Sequence, residues 1–118
     1  MSRAGIAKEN FLKGYTCAQA VLLAFSDLTN ADEETAKKIS LPFGGGTGRL
    51  RLTCGSFSGA VMALGLLFSD TKTDPENKRE VYAAVQELAA RFKAENGSLI
   101  CGELLTGCLL YTSDAADE

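Results

Sequence analysis

The sequence predicts an all-α fold, a single-domain bundle of about five to six helices around a buried central helix spanning roughly residues 54–68. Three observations carry this. Apolar residues recur three and four apart along most of the chain, while strand-like alternation is nearly absent. Helix-starting and helix-stopping residues punctuate that pattern at regular intervals. The length of 118 residues suits one domain and one modest core.

Each element has a local cause. Ser2 can cap a first helix with Ala4, Ala7 and Phe11 on one face, and Gly14 can end it. A second helix is expected from about Thr16 to Leu28, where Cys17, Val21, Ala24 and Leu28 form an inward stripe. Asn30 and Asp32 offer caps for a short third helix carrying Ala36 and Ile39, which Pro42 stops. Phe43 to Thr53 reads as a loop built on Gly44-Gly45-Gly46-Thr47-Gly48. The run from Cys54 to Phe68 is apolar nearly all round, as a central helix should be. Its Gly55, Gly59, Ala60 and Ala63 make a small-residue face that another backbone could approach closely. Asp74-Pro75-Glu76 is a strong helix start, with proline at the first helical position. That helix places Val81, Val85, Leu88 and Phe92 at core spacing, and Gly97 ends it before a last short helix from Ser98.

Composition excludes several classes. A net charge of −3 gives no electrostatic reason to expect nucleic acid or an anionic membrane as partner. The start, Met1-Ser2-Arg3-Ala4-Gly5, lacks the apolar core of a signal peptide, and Leu52 to Phe68 is short for a membrane span. A cytoplasmic location is expected. Thiols stay reduced there and serve metal binding or catalysis more often than stapling. With no histidine in the chain, Ser-His-Asp and Cys-His hydrolase chemistry and c-type haem attachment are excluded.

The four cysteines are the chemistry-bearing residues. Cys17, Cys54 and Cys101 each fall at an expected helix start, where unpaired N–H groups and the helix dipole favour a thiolate. Singly, each reads as a small core hydrophobe. Jointly, three helix starts can bring three sulfurs to one end of a bundle. Thiolate sulfur suits zinc, copper(I) or an iron–sulfur cluster, and a disulfide couple is equally compatible. No Cys-x-x-Cys is present. The glycine loop is neither a dinucleotide fingerprint, since Arg49 stands where the last glycine belongs, nor a Walker loop. It reads as a loop whose glycines permit positive φ, or as one that carries backbone N–H groups to the Cys54 sulfur. Gly45, Gly46, Gly55 and Gly59 are the candidate residues for lining a cofactor at that end.

Cys54-Gly55-Ser56-Phe57-Ser58-Gly59, preceded by Phe43-Gly44-Gly45-Gly46 and by Gly14-Tyr15-Thr16-Cys17-Ala18-Gln19-Ala20-Val21, resembles the C-GCAxxG-C-C family. Serine replaces the motif's alanine at position 56. Cys101-Gly102-Glu103-Leu104-Leu105 matches the third family cysteine. The resemblance covers about residues 4 to 107. It implies a small helical, cysteine-based redox or metal-binding protein with Cys17, Cys54 and Cys101 as its site, acting with an unidentified redox partner. Some relatives carry haem or selenocysteine.

The chain departs from the family at its end. Cys108-Leu109-Leu110-Tyr111-Thr112-Ser113-Asp114-Ala115-Ala116-Asp117-Glu118 resembles a translated sequencing adapter. The expected organisation is therefore a helical domain over 1–107, truncated at its C-terminus, and a non-native tail over 108–118 that leaves Cys108 outside the site. The alternative to redox or metal chemistry is a non-catalytic helical interaction module, a homodimer in which the cysteines only fill the core.

Overall fold

A computed structural model describes residues 2–103 of the chain. Cys108 and the tail to Glu118 lie outside the described residues. The architecture is all-α, and the caps expected from sequence account for most helix starts.

The first helix, α1 (Arg3–Leu12), begins where the Ser2 hydroxyl accepts the Gly5 N–H at 3.0 Å, and Gly14 turns the chain away at φ 106°. Helix α2 (Cys17–Leu23) starts in a reciprocal capping box. Thr16 Oγ1 accepts the Gln19 N–H at 3.3 Å, and Gln19 Oε1 accepts the Thr16 N–H at 2.9 Å. The remaining amide of Gln19 donates to the Lys37 carbonyl at 2.9 Å, so this buried side chain is satisfied at both ends.

The helix expected to run to Leu28 breaks after Leu23. Phe25 leaves the helical region (φ −108°, ψ 14°), and the short α3 (Ser26–Thr29) sets off in a new direction, closed by left-handed Asn30. The inward stripe therefore ends at Ala24, and Leu28 is 52% exposed. In α4 (Glu33–Ser40), Asp32 caps the Thr35 N–H and Ala36 is buried, whereas Ile39 faces outward.

A 3₁₀ turn at Leu41–Phe43, holding Pro42, leads into α5 (Gly44–Thr47). This last element is not a right-handed helix. Gly45, Gly46, Thr47, Gly48 and Arg49 all take positive φ, between 60° and 74°, and Arg51 does so again. A left-handed run of this length is rare, and its non-glycine members Thr47, Arg49 and Arg51 each cost about 1–2 kcal/mol. Backbone hydrogen bonds offset part of that cost: the N–H groups of Arg51 and Leu52 donate to the carbonyls of Gly45 and Gly46.

Helix α6 (Gly55–Phe68) occupies the expected central segment. Helix α7 (Pro75–Asn96) starts at Asp74, which caps the Glu76 N–H at 3.1 Å, and ends at left-handed Gly97. Burial is most complete in α2, where Ala18, Gln19, Ala20 and Leu22 are all enclosed by α1, α4 and α6. Leu22, Ala36 and Ala63 form the shared core, flanked by Leu23, Phe25 and Met62. The close approach expected at the small-residue face is made by α2 itself, since Gly59 packs on the Ala18 carbonyl. Helix α7 has no fully buried residue. It rests Val81, Val85, Leu88 and Phe92, each half-buried, along one side, and Phe92 meets Phe57 of α6 edge-on at 5.7 Å. Among the described residues, no helix is long and apolar enough to cross a membrane.

Candidate functional site

Three chain segments meet at the N-terminal end of α6, and each carries one of the predicted cysteines. Cys17 is the first residue of α2, held there by the Thr16–Gln19 box. Its sulfur lies directly against Gly55, where a Cβ could not be placed without collision. Cys54 is the N-cap residue of α6, and its side chain makes no capping hydrogen bond. Cys101 begins a helical turn over residues 101–103, and its Cβ fills the space that a Cβ on Gly46 would need, 2.6 Å away.

One short ladder fixes Cys54 relative to Cys101. Thr53 and Ile100 form an isolated antiparallel bridge. The Cys54 N–H donates to the Leu99 carbonyl at 2.7 Å, and the Cys101 N–H donates to the Leu52 carbonyl. Side chains alternate along such a pair. Cys54 and Cys101, each one residue past the bridge, thus take diagonal positions on the side opposite Thr53 and Ile100, a spacing on the order of 7 Å in antiparallel ladders.

The glycine turn reaches the sulfur of Cys17. A backbone hydrogen bond from Gly45 favours its thiolate, and one from Ala18 acts in the same direction. These donors do not produce the low-pKa thiol that a helix start suggests. Burial pushes the Cys17 thiol up and outweighs the Gly45 hydrogen bond; the neighbouring charges of Cys54 and Cys101 push the same way. Desolvation thus wins over the helix terminus at this sulfur.

Of the candidate cofactor-lining glycines, Gly45 and Gly46 border Cys17 and Cys101, and Gly55 borders Cys17. Gly59 stands one turn further along α6 and is occupied by helix packing. A residue that sequence reasoning missed is Arg51, whose Nη1 lies 3.9 Å from Cys101 Sγ. Only its place in the run between the glycines and Cys54 could have marked it. All three cysteines are half-buried and free of disulfides. Among the described residues, no three of Cys, Asp and Glu are grouped closely enough to hold a metal ion.

Fold and site together define a small helical protein with thiols gathered from distant segments at the start of one helix. The model of the family described as "Putative redox-active protein (C_GCAxxG_C_C)" matches residues 15–118, and the chain belongs to that family. No curated protein and no solved structure matches it.

Proposed function

We propose that the protein is a dithiol–disulfide redox protein in which Cys54 is the shared sulfur, able to pair with Cys17 on one side or Cys101 on the other. The meeting of the three cysteine-bearing segments at the start of α6 supports this reading. In the reaction, two thiols lose two protons and two electrons to form one disulfide, and a partner disulfide takes up both to become two thiols. Burial and the raised pKa of Cys17 suit a resolving thiol, which attacks only after a mixed disulfide has formed elsewhere. A thiol couple is preferred to a zinc or iron–sulfur centre because the described donors do not group in threes.

The test uses a Cys108→Ser background, so that three thiols remain. Diamide oxidises two thiols to a disulfide and is itself reduced to the hydrazine. Treatment of the native protein should remove two of the three titratable thiols, and peptide mapping should place Cys54 in the bond. Cys54→Ser should abolish intramolecular oxidation, whereas Cys17→Ser should leave a Cys54–Cys101 bond. If all three thiols survive oxidation in the native protein, the reading is wrong.

The second reading, a homodimeric interaction module with cysteines as filler, draws on Leu66, Leu67, Phe68 and Tyr82, which are exposed along α6 and α7. Under it, replacing all three cysteines by serine leaves oligomer size unchanged and no redox titration is seen.

A further inference from the structure

Arg49 and Arg51 stand on the same glycine. The space above Gly45 is filled by Arg49 Cγ, 2.7 Å from where a Cβ would lie, and by Arg51 Nη1 at 3.7 Å. Gly45 is the residue whose N–H is directed at the Cys17 sulfur, and the same Arg51 Nη1 is 3.9 Å from Cys101 Sγ. Both arginines hold left-handed backbone, φ 64° and 60°, which side chains rarely adopt. The backbone of Arg51 is fastened on both sides: its N–H donates to the Gly45 carbonyl at 3.3 Å and its carbonyl accepts the Gly102 N–H at 3.2 Å. Strain of this kind persists only where surrounding structure enforces it, and here it sets both arginine side chains against Gly45, with the Arg51 guanidinium beside the Cys101 sulfur.

We propose that Arg49 and Arg51 form a cationic collar that selects anionic substrates for the thiols, specifically low-molecular-weight disulfides bearing carboxylates or comparable acidic groups. This rests on the thiol reading above. A protein thiolate attacks one sulfur of the bound disulfide, the substrate S–S bond breaks, and one substrate thiolate leaves. A second protein thiol then displaces the other half as a thiolate, so that the protein gains one disulfide and the substrate becomes two thiols. The collar's part is to hold the acidic groups during the first step and to attract the anion to the site.

Three methanethiosulfonate reagents differing only in charge provide the test: sulfonatoethyl (anionic), methyl (neutral) and trimethylammonioethyl (cationic). Each forms a mixed disulfide and releases methanesulfinate. Rates on native Cys108→Ser protein, followed by mass spectrometry, are normalised to rates on the same protein in denaturant. The anionic reagent should be favoured over the cationic one by at least ~5-fold, and added salt should shrink the preference. Arg51→Gln and Arg49→Gln should each lower that ratio several-fold, and Arg51→Lys should retain most of it. Circular dichroism establishes that each variant is folded, and exposed Arg49 supplies the second variant should Arg51→Gln unfold. A ratio unchanged within twofold in the folded glutamine variants overturns the collar while leaving the thiol reading intact. Failure of every reagent to modify the native protein overturns both.

Discussion

Gly59 of α6 is pressed against the carbonyl of Ala18 in α2, so closely that a Cβ at position 59 would stand 2.5 Å from the carbonyl oxygen and 3.1 Å from Val21 Cβ. This contact sets the distance between the two helices that carry Cys17 and Cys54. Gly59→Ala should therefore cost stability. Overpacking of this kind costs about 1–3 kcal/mol, against a gain of about 1 kcal/mol for replacing glycine inside a helix. A net loss of up to about 2 kcal/mol is expected, read as a lower urea midpoint with unchanged slope. Gly65→Ala in the same helix is the control. Its Cβ would meet only Ser69 Oγ at 3.9 Å, and that variant should be neutral or slightly stabilised.

At Gly46 the penalty falls on the site. Its φ is +74°, and a Cβ there would lie 2.6 Å from Cys101 Cβ and 2.7 Å from Arg51 Cα. Gly46→Ala should lose about 2 kcal/mol or more, from backbone strain and collision together. The diagnostic readout is local. Native-state alkylation of Cys101 should rise relative to that of Cys54 as the turn is pushed aside. Equal acceleration at both would point to global unfolding instead.

These contacts also show which parts of the molecule were legible beforehand. Ser2, Asp32, Asp74-Pro75 and Gly97 announced their helix ends, because a cap is a local hydrogen bond between near neighbours. The break between α2 and α3 carries no glycine or proline and was not legible. It comes from packing of Leu22, Leu23 and Phe25 around the core. The glycine loop declared its flexibility, but its left-handed course through Thr47, Arg49 and Arg51 did not show, and the Arg51 carbonyl is held by the distant Gly102 N–H. The three site cysteines were legible as helix starts. That a loop N–H would reach Cys17 was not, since that depends on how closely Gly55 and Gly59 let α2 approach α6.

Phe92 should act as the anchor of α7. The helix has no fully buried residue, and its edge-on contact with Phe57 is its one ring–ring contact among the described residues. Phe92→Ala removes that contact and part of a half-buried face, a loss of about 2–3 kcal/mol, below the range for a fully buried phenylalanine. Hydrogen exchange should accelerate throughout α7 while α2 keeps its protection. Uniform acceleration would mean that α7 is not a separable unit.

The half-buried Cys17 thiol makes stability depend on alkaline pH, with a sign that can be worked out. Its folded pKa is raised, chiefly by burial, so the folded state holds this proton more tightly than the unfolded chain does. Unfolding then releases the proton at any pH between the two values, and stability falls as pH rises through that interval. The contribution is complete below the unfolded thiol value of about 8.5 and is lost progressively above it. Urea midpoints of the reduced Cys108→Ser protein should therefore drop between about pH 8.5 and pH 10 more steeply than those of the same protein carrying Cys17→Ala. The difference between the two curves isolates Cys17 from every group that the two proteins share. Native-state alkylation should follow the same order, with Cys17 needing higher pH than a free thiol to reach half its limiting rate. Parallel midpoint curves for the two proteins would show that Cys17 ionises in the folded state as readily as in the unfolded chain, and the resolving role assigned to it would be lost.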